Sequence, residues 1–133
     1  MMEKNMLVFV YGTLLSGLPL SHILDDSEFL GDAVVRGVQL YDIGYYPGLK
    51  KGDGIVFGEL YYVNNDTLQN LDMVEGYNPN DLGSSLYLRS EIQIILPTIT
   101  TKVFAYFYNL PVVDSMLIED GDYRKYLLSE TAM

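Results

Sequence analysis

The stretch of sequence that organises the rest of the chain covers residues 64–77 and reads NNDTLQNLDMVEGY. It predicts one short helix that starts at an Asx cap, with Asp66 followed three residues later by Gln69. Gly76 is the residue type that most often ends a helix, because glycine adopts the left-handed conformation without strain. The helix is therefore expected to carry the residues just before Gly76 in its last turn.

The helical period places an acidic residue among apolar ones. Leu68, Leu71, Asp72 and Glu75 fall at i, i+3, i+4 and i+7, so Glu75 shares the face that the leucines bury. Burial and the partial negative charge at the helix end both raise the pKa of a carboxyl group. A carboxyl group poised nearer neutrality suits general acid/base chemistry. The alternative from spacing alone is that the helix end frays and Glu75 points into water.

Length and composition predict a single globular domain over residues 1–133. Hydrophobic residues make up 49% and charged residues 20% of the 133 positions, which is too apolar for a disordered chain. No apolar run approaches the roughly 18 residues of a membrane span. The N-terminus lacks the basic and apolar regions of a signal peptide, so we expect a cytoplasmic protein that does not bind membranes.

The charge and the residue inventory exclude several classes of function. Eighteen acidic against eight basic side chains give a net charge of −10, which repels nucleic acids and anionic lipids. There is no cysteine, and His22 is the one histidine, which is interpreted as a solvent-facing residue. We therefore expect no metal and no cofactor. Carboxylates, hydroxyls and the backbone must carry any chemistry.

The first strand is predicted over residues 6–11, a continuous apolar and aromatic run typical of a strand buried on both faces. Gly12 follows at once, and a glycine there lets consecutive backbone N–H groups point outward as a small anion-binding nest. The alternative is an ordinary exit from a strand into a loop.

The remaining pattern predicts a curled or barrel-like sheet of five or six strands with one or two helices. Gly31 and Gly37 are expected to mark bulges within the second strand. Further strands are predicted at 29–43, 55–63, 86–96 and 102–110, turns at 45–49 and 50–54, a hairpin connection at 97–100, a loop at 78–85, and short helical segments near 20–24 and 123–127.

Read together, several segments resemble the gamma-glutamylcyclotransferase-like family, in particular its gamma-glutamylamine cyclotransferase-like branch. The matching segments are VYGTL (10–14), YPG (46–48), GELY (58–61), LDMVEGY (71–77), YLR (87–89) and GDY (121–123). One departure is Tyr123, where the family commonly has Trp. The resemblance implies an α+β fold: a small mixed β-barrel of about five to seven strands with two or three short flanking helices.

The resemblance also implies an activity and a site. The activity is release of 5-oxoproline and a free amine from a gamma-glutamyl amine or gamma-glutamyl amino acid, without a cofactor, by intramolecular attack of the α-amine. Glu75 is the implied general acid/base. The implied substrate-binding residues are Tyr11, Gly12, Thr13, Leu14, Tyr46, Pro47, Gly48, Tyr87 and Tyr123. The expected partner is this small molecule, on a monomer or weak homodimer, with leaving-group specificity set by segments 18–28 and 78–85.

Two alternatives remain open from sequence. One is a non-catalytic module that binds a small gamma-glutamyl or carboxylate ligand. The other is an acidic domain that associates with a basic protein partner. The enzyme hypothesis differs from both because it requires the carboxyl group of Glu75, and it predicts that activity rises with pH as that group ionises.

Overall fold

The computed structural model describes residues 6–99 and 101–131. The N-terminal segment, in which we predicted no signal peptide, lies largely outside these ranges. Residue 100 of the predicted hairpin connection lies wholly outside them. The described elements are β1 (Met6–Val10), β2 (Glu28–Asp42), β3 (Pro47–Val63), α1 (Asn65–Val74), β4 (Tyr87–Leu96), β5 (Val103–Tyr108), β6 (Leu117–Ile118) and α2 (Tyr123–Thr131).

Five of the strands form a closed mixed barrel, which confirms the predicted fold class. The order is β3-β1-β5-β4-β2, and pairing of β2 with β3 closes the barrel. β1 and β5 are parallel, whereas the other barrel pairs are antiparallel. The two-residue strand β6 extends the sheet by pairing with β2. The hairpin predicted from the last two long strands is the β4–β5 pair.

β1 lies at the centre of the core, as its apolar run predicted. Val8, Phe9 and Val10 are each at most 2% exposed, so the residues that point to opposite faces of the strand are all buried. Burial on both faces follows from the position of β1 inside the barrel wall, with α1 and the connecting segments packed around it. The chain leaves the core at Tyr11, where the strand ends.

β3 is longer than predicted, whereas β2 has its predicted length shifted by one residue, and the two strands pair with each other over most of their length. The register shifts between Phe29 and Gly31 and again between Arg36 and Val38, so bulges occur at both predicted glycines. The turn predicted at 45–49 is displaced, because residues 43–46 connect β2 to β3, and the turn predicted at 50–54 is wrong, because those residues lie inside β3. Pro47 pairs with Asp42 as the first residue of β3, a position at which a proline is tolerated because its missing N–H leaves no interior ladder bond unmade.

The helix α1 ends as predicted, but its N-cap lies two residues before the predicted cap Asp66. The side chain of Asn64, rather than Asp66, accepts a hydrogen bond from the backbone N–H of Thr67 at 2.9 Å and caps the helix. At the other end Gly76 has φ +64°, and the N–H of Tyr77 donates to the carbonyl of Asp72 at 2.9 Å. This Schellman motif fixes Glu75 as the C-cap, the residue at which the helix ends.

The other helical segments are short. The helix predicted near 20–24 is a single 3₁₀ turn over Ser21–Leu24, with His22 exposed as expected. The predicted tail helix is α2. Within the described ranges, no helix is both long enough and apolar enough to cross a membrane.

Candidate active site

A cavity of about 120 Å³ opens where β1 ends, between the segment that follows β1 and the C-terminal end of α1. Eight of the ten site residues predicted from sequence line it: Tyr11, Gly12, Thr13, Leu14, Tyr46, Pro47, Glu75 and Tyr87. The cavity is large enough to hold a small ligand, and its opening leaves room for the remainder of a larger one to extend outward.

Glu75 lies in the wall of this cavity, on the buried side that the helical period predicted. Its backbone N–H still donates to the carbonyl of Leu71 at 2.9 Å, so the last helical turn does not fray. Burial of the side chain raises the pKa of Glu75 from its ordinary 4.5 to about 7. The carboxyl group therefore passes between its protonated and ionised forms near neutral pH, as an acid/base group must.

The segment after β1 contributes the backbone of residues 12–14 to the wall of the same cavity. The N–H of Leu15 donates to the carbonyl of Gly12 at 2.9 Å, which closes a tight turn. Within the part of the chain that the structure describes, the N–H groups of Gly12, Thr13 and Leu14 have no hydrogen-bond acceptor. Adjacent N–H groups without a partner at a cavity wall are the arrangement by which a backbone binds an anion.

Gly12 is required at this point by packing rather than by its φ angle. A Cβ atom at Gly12 would lie 2.6 Å from Cγ and 2.8 Å from Cδ of Pro47. Both residues line the cavity, so the absent side chain allows the turn to approach the first residue of β3. Any larger residue would push these two walls apart or fill the space between them.

Three of the four tyrosine hydroxyls at the cavity already donate to protein acceptors. Tyr11 donates to the carbonyl of Tyr106 at 2.7 Å, and Tyr87 donates to the carbonyl of Pro47 at 2.8 Å. Tyr106 donates to Asp72 at 2.5 Å. The hydroxyl of Tyr46 has no hydrogen-bond partner among the described residues, so it remains available to a ligand.

A polar network fixes α1 against the barrel directly behind the cavity. Nη1 of Arg89 in β4 lies 2.7 and 2.6 Å from the two carboxylate oxygens of Asp72, one helical turn before Glu75. The guanidinium also lies over the ring of Tyr77, 5.2 Å from its centroid. Since both ends of the last turn of α1 are held, the position of Glu75 is set by packing as well as by the helix cap.

The cavity contains no cationic side chain to pair with an anion. Among the described residues that line it, Glu75 is the one ionisable group other than tyrosines. An anionic ligand here must therefore be bound by backbone N–H groups and hydroxyls.

Two predicted residues do not line the cavity. Gly48 packs under Tyr108, because a Cβ atom added at Gly48 would lie 2.8 Å from the Cβ atom of Tyr108. Tyr123 is buried at the start of α2, with its ring stacked 6.4 Å from that of Tyr126. Burial, followed by the charge of Glu75, raises the pKa of Tyr87, and Tyr123 adds a smaller contribution in the same direction.

Several lining residues were not predicted: Phe9, Val10, Leu20, Val74, Leu86 and Tyr106. All are apolar or aromatic, and in the sequence nothing separates them from ordinary core residues. Leu20 falls in the segment expected to set leaving-group specificity. No residue of the 78–85 loop lines the cavity, but Leu86, the residue that follows the loop, does.

Comparison with known proteins agrees with this architecture. A sequence model of the family described as gamma-glutamyl cyclotransferase, AIG2-like, matches residues 8–125. The chain is 36% identical over 118 residues to the gamma-glutamylcyclotransferase family protein YtfP of Escherichia coli K12, covering 89% of this chain and 96% of that protein. A putative gamma-glutamylcyclotransferase of Methanocaldococcus jannaschii is 30% identical over 123 residues, covering 90% and 96% of the two chains.

Solved structures with the same fold include an uncharacterized protein from Pyrococcus horikoshii, with a TM-score of 0.74, 28% identity, and coverage of 96% of this chain and 97% of that one. An AIG2-like protein from Mus musculus has a TM-score of 0.69 and 25% identity, with coverage of 90% and 88%. The family match runs from within β1 through the other barrel strands to the start of α2, and it includes every residue that lines the cavity. The chain therefore belongs to the gamma-glutamyl cyclotransferase, AIG2-like family.

Proposed function

We propose that the chain is a cofactor-independent gamma-glutamyl cyclotransferase that releases 5-oxoproline and a free amine from a gamma-glutamyl amine or gamma-glutamyl amino acid. The observation that carries the proposal is the pairing, in one small cavity, of Glu75 and the unpartnered N–H groups of residues 12–14. Burial raises the pKa of Glu75 to about 7, which suits a group that must both accept and return a proton.

The N–H groups of Gly12, Thr13 and Leu14 are the proposed binding site for the α-carboxylate of the substrate. The cavity offers that carboxylate no lysine, arginine or histidine, so backbone donors supply its hydrogen bonds. Binding at this point would leave the α-ammonium and the γ-carbonyl inside the cavity, toward Glu75. The leaving amine would then extend past Leu20, Val74 and Leu86.

In the proposed reaction ionised Glu75 accepts a proton from the α-ammonium group. The freed amine attacks the γ-carbonyl carbon, and a five-membered ring forms. The bond from that carbon to the leaving nitrogen then breaks as Glu75 returns its proton to that nitrogen. The second proton lost by the ring nitrogen also passes to the departing amine, so the products are a neutral lactam and an ammonium ion.

Orientation supplies much of the rate in such a scheme. A well-oriented intramolecular attack can reach an effective molarity on the order of 10⁵ to 10⁸ M, and no external nucleophile is needed. The charge that develops on the γ-carbonyl oxygen requires a donor. Because Tyr11 and Tyr87 already donate to backbone carbonyls, the hydroxyl of Tyr46 and the backbone N–H groups are the candidates for that role.

The test is release of 5-oxoproline from a panel of gamma-glutamyl amines, gamma-glutamyl amino acids and glutathione, with Glu75→Gln beside the wild type. The proposal expects release by the wild type and loss of about 10²- to 10⁴-fold in the variant, the usual contribution of a general acid/base. Turnover that survives Glu75→Gln would overturn the assignment of Glu75. A folded wild type that binds these compounds without turning over any of them would instead identify a binding module.

A further inference from the structure

A second carboxylate, outside the cavity, contacts the segment that lines it. Glu59 in β3 is 5% exposed and accepts hydrogen bonds from both the backbone N–H and the hydroxyl of Ser16, each at 2.8 Å. It also accepts from the hydroxyl of Tyr61 at 3.1 Å. The two carboxylate oxygens are therefore directed at the end of the turn that begins at Gly12.

Arg124 completes this contact from the other end of the chain. Its Nη2 atom in α2 donates to the backbone carbonyl of Ser16 at 2.6 Å and to its hydroxyl at 3.0 Å, and lies 3.1 Å from Oε2 of Glu59. Every polar group of Ser16 is thus bonded to Glu59 or Arg124. We call Glu59, Arg124 and Ser16 the clamp.

The clamp holds the anion-binding segment from behind. Leu14 lines the cavity, whereas Leu15 lines a separate surface concavity whose wall also includes Glu59 and Arg124. The segment therefore separates the two spaces, and the clamp touches it on the side away from Glu75. Any effect of the clamp on a ligand in the cavity must act through the backbone of residues 12–16.

The energetics favour a positioning role for the clamp over a contribution to global stability. Burial alone would raise the pKa of Glu59, yet hydrogen bonds from Ser16, Tyr61 and Arg124 lower it below its ordinary 4.5. The carboxylate is thus kept ionised by donors that offset its desolvation. The ion pair is only partly buried, since the side chain of Arg124 is 43% exposed. Such a pair contributes little net stability compared with apolar packing, but it can specify a single local conformation.

We propose that Glu59 and Arg124 are positioning residues that hold Ser16 and thereby orient the N–H groups of residues 12–14 toward the α-carboxylate of the substrate. This inference rests on the proposed function. It adds a requirement that the cavity alone does not contain: substrate binding depends on contacts between β3, α2 and the turn. Neither positioning residue touches the substrate.

The kinetic test compares Glu59→Gln and Arg124→Gln on two substrates, a gamma-glutamyl amine and its α-carboxamide analogue. With the carboxylate substrate, kcat/KM is expected to fall about 10- to 100-fold, mainly through KM, as for other misplaced binding groups. The loss should be several-fold smaller with the carboxamide, because charge-assisted hydrogen bonds are about twice as strong as neutral ones. Equal losses on both substrates would mean a general structural defect and would overturn the proposal.

The matched control is Lys125→Gln, which removes the neighbouring cation of α2. Lys125 pairs with Asp120 at 3.2 Å on the surface, and both side chains are about two-thirds exposed. We expect its kinetic constants to equal those of the wild type. A loss as large as that of Arg124→Gln would show that the charge of α2, rather than the clamp, is responsible.

A second readout does not depend on turnover. Backbone ¹⁵N order parameters for residues 12–16 are expected to fall in Ser16→Ala, which removes the two hydrogen bonds of the hydroxyl, to Glu59 and from Arg124, and should fold even if Glu59→Gln does not. Unchanged order parameters would overturn the clamp. A wild type without turnover would refute the proposed function, while this measurement would still decide whether the clamp orders the segment.

Discussion

Replacing Glu75 with glutamine should make the protein more stable at pH 8 and leave its stability at pH 4 almost unchanged. The reason is the cost of burying an ionised carboxylate in the cavity wall. Glutamine has the same shape, cannot ionise, and so avoids that cost. The expected gain therefore depends on pH, which separates it from any effect of packing.

The magnitude follows from the raised pKa of Glu75. In the folded protein this pKa is about 7, against an ordinary value of 4.5. The folded state thus binds the proton more tightly than the unfolded chain, so wild-type stability is lost as pH rises from about 4.5 through 7. At about 1.4 kcal/mol per pKa unit, the cost at pH 8 is about 3 kcal/mol.

The assay is urea unfolding of both proteins from pH 4 to pH 8. With an m-value of about 2 kcal/mol/M, the variant should unfold at a urea concentration about 1.5 M higher than the wild type at pH 8. Other carboxyl groups titrate in both proteins and cancel in the difference. Glu119→Gln is the control, since Glu119 is exposed and does not line the cavity, so this variant loses a carboxyl group that is not buried.

A stability difference that does not change between pH 4 and pH 8 would refute the reasoning. It would mean that Glu75 ionises without penalty and is directed into water, the alternative that the sequence left open. A variant less stable than the wild type at every pH would instead indicate that the carboxyl group makes an essential contact in its protonated form.

Three further predictions concern the same architecture. The kcat/KM of the wild type should rise with pH and level off above an inflection near the pKa of about 7 of Glu75, because the base must be ionised; a flat profile from pH 5 to 8 would contradict this. Gly12→Ala should lower turnover at least about tenfold and destabilise by about 1–3 kcal/mol, measured by kinetics and urea unfolding, because its Cβ would lie 2.6 Å from Cγ of Pro47. Gly121→Ala should cost on the order of 3 kcal/mol of unfolding free energy, since its φ is +66° and its Cβ would lie 2.0 Å from the carbonyl oxygen of Ile55; wild-type stability would refute that packing.

The features predicted correctly from sequence are those fixed by residues close together in the chain. The end of α1 is one example, because Gly76 and the apolar spacing of Leu68 and Leu71 act within two turns. The bulges at Gly31 and Gly37 are another, since each needs only one residue able to adopt a positive φ, and both have one. The burial of β1 followed from an apolar run that could not face water on either side.

The turn predictions failed where a local signal was overridden by pairing with the preceding strand, β2. Proline and glycine at 47–48 and the glycines at 52 and 54 are typical of turns. In the barrel they belong to β3, where the absent side chains let neighbouring groups approach: a Cβ at Gly54 would lie 2.9 Å from the carbonyl oxygen of Val38. That requirement exists only once β2 and β3 are paired.

The sequence by itself determined that a carboxyl group would lie near the buried face of a capped helix, and that a glycine turn would follow a central strand. Only the tertiary structure decided that the two meet in one cavity, because the parallel pairing of β1 with β5 and the pairing of β2 with β4 are non-local. The clamp is the extreme case: Glu59 reaches Ser16 across 43 residues and Arg124 across 65. No spacing rule connects such positions, since their contact is a consequence of closing the barrel.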